Sequence, residues 1–371
     1  MKKIYTNHYY HPQKRNVLVA NDLYEVYIEK DFFNVIYHLY FKLFKRALRD
    51  TYKNVHFTFF RKRNHHFFNT ISLNSKNWIV TFSTTIPRGF ENSKRMEAFL
   101  VKRLAHKSCK RIIANSLNAV LIETDFLTKN YPKYKDAILN KIEVISPPQE
   151  KLIHEYLEKP LNKIRFIIVG HEFFRKGGLE ILRAFDKLIE EGLNIELIIV
   201  SRLDYNDYAT KYGKAGYEEA YVLIEKNKKS VVHHLALPNK DVLELIKTSH
   251  VGLLPTWAEA YGYSVLEFQA LGVPVITTNV RAMPEINNEV VGWIIKVPKD
   301  ELGRAKRYSE EDRKELSTII EQGIIKSIKE ILINKETIAQ KGINALKKVD
   351  ETNNKDIFVK SGCRASSYIN S

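Results

Sequence analysis

Residues 251–285 read VGLLPTWAEAYGYSVLEFQALGVPVITTNVRAMPE. Val251–Leu254 is a short apolar run that fits a strand buried on both faces of a parallel sheet. Pro255 ends it, and a loop carries Trp257, Glu259 and Gly262. A helix is expected from near Ser264 to Gly272, a residue suited to a left-handed C-terminal cap. Pro274 then opens a second buried run, Val275–Thr277. Strand, loop, helix and strand in this order form the repeating unit of an α/β sheet.

Two carboxylates, Glu259 and Glu267, bracket the loop and the first helical turn with seven residues between them. Gly262 lets the backbone turn tightly and approach a ligand without a Cβ in the way. The amides of Tyr263, Ser264 and Val265 fall at a helix start, where unpaired N–H groups and the helix dipole favour an anion. Acids on either side of an anion-binding helix end suit a ligand with hydroxyls flanking a phosphate, as in a nucleotide sugar. A plainer role stands beside this one. Ser264 and Glu267 also spell S-x-x-E, a capping box that would turn Glu267 back onto its own helix.

The run P-T-W-A-E-A-Y-G-Y-S-V-L-E-F-Q-A-L-G-V-P-V resembles the donor-binding motif of family 4 glycosyltransferases, retaining enzymes of the GT-B fold. The resemblance implies two Rossmann-like α/β domains facing across a cleft. It also implies roles for particular residues. Glu267 would hold the ribose hydroxyls of the donor, and Glu259 would approach the donor sugar. Gly262, Tyr263 and Ser264 would line the diphosphate.

Upstream, Arg165–Val169 (RFIIV) begins an α/β unit, and Gly170-His-Glu-Phe-Phe-Arg-Lys-Gly177-Gly178 leads into a helix over 179–190. Cations beside glycines at a strand-to-helix turn suit a diphosphate, Lys as a compact charge and Arg as a bidentate fork. The loop resembles the family's phosphate-binding loop. Lys176 matches its lysine, His171 stands at its early arginine, and Arg175 would take over part of that role. Leu237 starts a loop that in the family lies against the nucleotide base. With these positions Glu259, Lys176 and Arg175 are the expected catalytic residues, and Glu267, Gly262, Tyr263, Ser264, His171 and Leu237 the expected donor-binding ones.

The first half is less explicit. Val17–Ala20, Tyr24–Ile28 and Val55–Phe60 are candidate strands, with a turn at Asn21-Asp22. Over Asn34–Arg49, apolar residues recur at helical spacing, as in a core-packing helix or one lying on a membrane surface. The basic run Arg61-Lys62-Arg63 and the pair His65-His66 follow. Neighbours on a strand point to opposite faces, so the two histidines do not pair on one metal. Trp78–Phe82 is a buried strand ending in Ser83-Thr-Thr-Ile-Pro-Arg88-Gly89, the strand end where open α/β sheets place ligands. Ser83 stands where many family members carry a histidine facing the acceptor. Ser83 and Arg88 are therefore the acceptor-side candidates, with a plain surface loop as the alternative. A helix over 94–107, a strand over 111–114, a helix over 117–129 capped by Ser116, and a strand over 142–145 complete a βαβ rhythm. The sharp break at Ser146-Pro147-Pro148 and the polar stretch 150–163 divide the chain into an acceptor-side domain, 1–150, and a donor domain, 160–350. A tail, 351–371, is expected to cross back to the first domain, as GT-B tails do.

The 371 residues suffice for two domains, and 44% hydrophobic with 27% charged residues is a globular balance. The N-terminus lacks the apolar core of a secretory signal, and two cysteines give no disulfide framework or zinc site. A cytoplasmic protein is expected. Of the net charge of +16, residues 1–160 carry +14 and the remainder +2. Such a field attracts anionic lipid, nucleic acid or an acidic substrate. No reading motif for nucleic acid accompanies it. The expected partners are a nucleotide sugar, a glycan or lipid-linked acceptor and an anionic membrane surface, with no nucleic acid. No D-x-D occurs in the chain, so neither a metal nor another cofactor is expected. The expected function is sugar transfer in cell-envelope glycan or glycolipid synthesis. The alternative is a degenerate GT-B protein that binds membrane or nucleic acid through its basic half.

Overall fold

The computed structural model describes residues 2–7, 16, 24–29, 31–44 and 54–354. They form two compact units. The first holds the chain up to Pro148 and takes it up again at Asn353, whose side-chain amide donates to Pro147 O (2.8 Å); the second is Gln149–Thr352.

The first unit contains β1 (Lys2–Thr6), β2 (Tyr24–Ile28), α1 (Phe32–Phe44), β3 (Val55–His56), β4 (Asn64–Phe68), β5 (Ile71–Ser72) and β6 (Asn77–Phe82). It continues with α2 (Lys94–Ala105), β7 (Cys109–Ala114), α3 (Leu117–Asn130), α4 (Pro132–Leu139) and β8 (Ile142–Val144). A six-stranded sheet runs β2-β1-β4-β6-β7-β8, every pairing parallel, and β3 pairs with β5 apart from it. Its centre is buried on both faces, by Trp78, Val80, Phe82 and Ile112 on one and by Ile79 and Ile113 on the other. Ser116 caps α3 as its sequence position predicts, accepting from Ala119 N at 3.1 Å. His65 and His66 do point apart, His65 Nδ1 to Ser75 Oγ (2.9 Å) and His66 Nε2 to Thr81 Oγ1 (2.8 Å).

Three features differ from expectation. The strand expected over Val55–Phe60 stops at His56, and Phe57, Phe59 and Phe60 leave the sheet for solvent. Strand β1, paired on one side with β2 and on the other with β4, is a further element that its two lysines and short length hid. Helix α1 does not pack its apolar stripe into the core: Val35, Leu39, Leu43 and Phe44 are exposed. The candidate strand Val17–Ala20, the turn at Asn21-Asp22, residues 45–49 of the helix and residues 355–371 of the tail lie outside the described residues.

The second unit contains β9 (Ile164–Val169), α5 (Gly178–Glu190), β10 (Ile195–Val200), α6 (Gly213–Lys226), β11 (Val231–His234), α7 (Asn239–Thr248) and β12 (Val251–Leu254). Then come α8 (Tyr263–Ala270), β13 (Val275–Thr278), α9 (Met283–Ile286), β14 (Gly292–Ile295), α10 (Glu310–Ile333) and α11 (Glu336–Thr352). The sheet order is β11-β10-β9-β12-β13-β14, again parallel throughout. Counted from β9 this is 3-2-1-4-5-6, the dinucleotide-binding order, and it reverses between β9 and β12. On α5, Leu179, Ile181, Leu182, Phe185 and Leu188 are buried, each stabilising the sheet–helix contact by roughly 1.5–3 kcal/mol. The stretch read as a polar linker, 150–163, is docked on this unit: Leu152 N donates to Ala270 O (2.9 Å).

Candidate active site at the strand reversal

An open α/β sheet binds ligands outside the carboxyl ends of the two strands at its reversal. Here those ends are Val169 and Leu254, and the loops beyond them are 170–177 and 255–262. The two motifs, about eighty residues apart in sequence, therefore meet in space.

Lys176 curls back over the end of β9, and its Nζ donates to Val169 O at 3.1 Å. Gly170 makes room for it, since a Cβ there would lie 2.3 Å from Nζ. Burial lowers the Lys176 pKa below its ordinary value and Arg175 adds to the effect, while Glu259, Glu267 and Glu172 oppose it. Its neighbouring charges thus include both acids of the E-x7-E pair. Loop 170–177 is fixed from β10 as well: Ser201 Oγ donates to Gly170 O (2.5 Å), and His233 Nε2 donates to Ser201 O (2.8 Å).

Arg175 joins the two loops. Its Nη1 donates to Ala258 O and to Glu259 Oε2 (3.3 Å), and its Nη2 to Glu172 Oε2 (2.7 Å). Its own carbonyl accepts from Trp257 N (2.9 Å) and Thr256 Oγ1 (3.1 Å). Burial opposes the charge of Arg175, but Glu259 and Glu172 outweigh it and hold the guanidinium above its ordinary pKa. Arg175 thus ties Glu259 and Ala258 of one loop to Glu172 of the other. Glu259 is further fixed by accepting from Ala260 N (3.1 Å).

Gly262 is the N-cap of α8 and left-handed (φ 89°); a Cβ there would lie 2.4 Å from Met283 Cε. The helix begins at Tyr263, one residue before the expected start, so Ser264 lies inside it and the S-x-x-E capping box does not form. Glu267 is half-buried and directed to the same neighbourhood as Lys176. One expected anion donor is lost: Val265 N–H is turned onto Gly262 O at 3.0 Å. Ser264 and Tyr263 are half-buried, with the Tyr263 ring 5.3 Å from that of Tyr261.

His171 is exposed, at the start of loop 170–177. Leu237 is half-buried after β11, packed against the core. In the first unit Ser83 is buried at the end of β6, and Arg88 is exposed, its carbonyl accepting from Asn54 Nδ2 (2.8 Å). Beneath that loop lies a residue the sequence did not single out. Glu123, on α3, has no solvent exposure and accepts from Ile86 N (2.9 Å) and Thr85 Oγ1 (3.0 Å). Burial pushes its pKa up to about 8. Glu172 and Arg281, the latter left-handed at φ 45° and with Glu259 among its neighbouring charges, were also missed. Among the described residues, no group of three or more His, Cys, Asp or Glu converges to hold a metal ion.

Residues 149–326 match the family model described as Glycosyl transferases group 1. The match lies within the second unit, Gln149–Thr352. The chain is 29% identical over 148 residues to the capsular polysaccharide biosynthesis glycosyltransferase CapM of Staphylococcus aureus, 39% of this chain and 36% of CapM. An uncharacterized 41.2 kDa protein in the cps region of Klebsiella pneumoniae is 27% identical over 217 residues, 54% of this chain and 52% of that protein. The chain thus spans a third to a half of the length of these curated relatives. Among solved structures, HepE of Anabaena in complex with UDP superposes with a TM-score of 0.61 at 12% identity, covering 99% of this chain and 100% of HepE. WaaG, a glycosyltransferase involved in lipopolysaccharide biosynthesis, gives 0.53 at 17% identity, covering 99% of this chain and 90% of WaaG. At these identities the likeness establishes the fold alone, GT-B.

Proposed function

We propose that the protein is a family 4 glycosyltransferase that moves a hexosyl group, with retention, from a nucleotide-diphosphate sugar to a glycan or lipid-linked acceptor of the cell envelope. The observation that carries this is the meeting of loops 170–177 and 255–262 at the reversal of the second sheet, where Lys176 Nζ lies over the end of β9 (3.1 Å from Val169 O) and Arg175 bonds Glu259 (3.3 Å), with Glu267 among the charges that act on Lys176. CapM and WaaG act in capsule and lipopolysaccharide synthesis, and HepE holds UDP, which supports the choice of donor and pathway class.

In the transfer the bond from the sugar's anomeric carbon to the diphosphate breaks and a bond to an acceptor oxygen forms. The acceptor proton passes to the leaving phosphate. Negative charge grows on the diphosphate as the bond breaks, and Lys176 is positioned to stabilise it, a term worth most where water is excluded. Lys176 thereby does the work a bound metal does in other transferases, so the proposed reaction is metal-independent. Glu267 accepts the ribose hydroxyls, and Glu259, held by Arg175, faces the sugar. Gly262 and the helix start at Tyr263 and Ser264 line the phosphates, with His171 and Leu237 at the edge of the donor. Ser83 and Arg88 belong to the acceptor side.

A panel of UDP, GDP and ADP sugars, followed by proton NMR of the anomeric signal, tests this. The new linkage is expected to keep the donor's anomeric configuration. Inversion would remove the retaining assignment, and nucleotide release no faster than with Lys176→Ala would remove the transferase.

A further inference from the structure

Helix α1 and the segment after β3 form a surface that nothing in the described residues covers. Along α1 the exposed residues Phe32, Val35, Ile36, Leu39 and Leu43 follow one helical stripe, with Leu39 58% and Leu43 66% accessible. Phe57, Phe59 (64% accessible) and Phe60 extend it. The two parts are joined. Phe32 N donates to Phe57 O at 3.3 Å, and the Phe32 ring lies 6.0 Å from that of Phe57 and 6.5 Å from that of Phe59. A contiguous exposed apolar patch of this kind marks a docking surface rather than ordinary scatter.

The charge around it selects the occupant. Lys42, Arg61 and Lys62 are exposed beside the apolar residues. Arg63 lies with its guanidinium 3.6 Å from the Phe60 ring centre and is paired with Glu29 (2.9 Å). Residues 30–63 contain nine Lys and Arg against two acids. Among the described residues of 29–63 the acids are Glu29 and Asp31, and both are buried, so these residues present cations and apolar groups without an exposed carboxylate. An apolar stripe with a basic rim is the pattern of a helix that lies in the plane of an anionic bilayer. At thirteen residues α1 is about 20 Å long, too short to span a bilayer and long enough to lie along one.

We propose that α1 with Phe57, Phe59 and Phe60 is a membrane-docking face for anionic lipid: the apolar side chains enter the acyl boundary while Lys42, Arg61 and Lys62 meet the headgroups. This stands independently of the donor site in the second unit.

The test is co-sedimentation of the full chain with vesicles of phosphatidylglycerol and phosphatidylcholine, and of phosphatidylcholine alone. Wild type is expected to bind the anionic vesicles and to lose about tenfold or more in affinity on neutral ones or in about 0.5 M salt. Leu39→Glu with Leu43→Glu should abolish binding, and Arg61→Glu with Lys62→Glu should weaken it about tenfold. Both pairs replace exposed residues, so melting temperature and nucleotide binding should stay at the wild-type value and report that the fold is intact. Absence of binding by wild type, or equal binding by the Leu39→Glu/Leu43→Glu pair, would overturn the proposal. So would a wild-type dimer that this pair converts to monomer, because the face would then belong to a second copy of the chain.

Discussion

The carboxyl end of β6, one strand beyond the reversal of the first sheet, and those of β9 and β12, which flank the reversal of the second, are all ends of parallel strands, yet they are furnished differently. Beyond β9 and β12 the loops carry full charges arranged in compensation: Arg175 against Glu172 and Glu259, and Lys176 with Glu259 and Glu267 as neighbours. Beyond β6 the loop carries hydroxyls and the exposed Arg88, and the carboxyl it bonds is that of Glu123, buried and with its pKa raised to about 8. Buried charge is tolerated only where it is paired or can neutralise itself. The second unit takes the first route, keeping charge available for an anionic ligand. The first takes the other, and Glu123 serves as an anchor for loop 83–89.

The contrast can be broken by substitution. Lys176→Ala should have the largest effect, lowering kcat/KM by about 10²–10³-fold, the range for loss of one electrostatic donor at a reacting centre. Arg88→Ala, beyond β6 in the first unit, should change it by less than about tenfold. Steady-state kinetics on the two variants compares the ends directly, and equal losses would erase the distinction. Glu123 gives the next effect, on stability. Its folded pKa lies above the unfolded value near 4.5, so the folded state binds the extra proton between about pH 4.5 and 8. Its contribution is complete below that window and falls as pH rises through it, with a slope approaching about 1.4 kcal/mol per pH unit. Denaturant titrations across pH 5–8 should show this slope in wild type and lose it in Glu123→Gln. Smallest is Gly262→Ala, which strains a left-handed residue and crowds Met283. It should destabilise by somewhat more than about 1 kcal/mol and weaken nucleotide binding.

The second unit was legible because its chemistry is local in sequence. Glycines, cations and acids sit within a few residues of the strand ends that place them, and buried parallel strands announce themselves as apolar runs. What remained hidden depends on partners far along the chain. Arg175 bonds Ala258 across 83 residues, a contact that its place in the 170–177 loop does not announce. Glu123 meets Thr85 across 38 residues, and on α3 its sequence context is that of any helical acid. Helix α1 shows the limit of periodicity. A 3.6-residue repeat fixes which residues share a face, not whether that face meets core or solvent.

A thermal-shift titration with UDP, GDP and ADP on wild type and Glu267→Ala tests the central claim, that the reversal of the second sheet is a nucleotide site. A ligand that binds the folded state must raise its apparent stability. One nucleotide should stabilise wild type, by about 2.7 kcal/mol at a hundredfold excess over Kd, and Glu267→Ala should need more of it for the same shift. Equal shifts in both proteins, or none with any nucleotide, would contradict it.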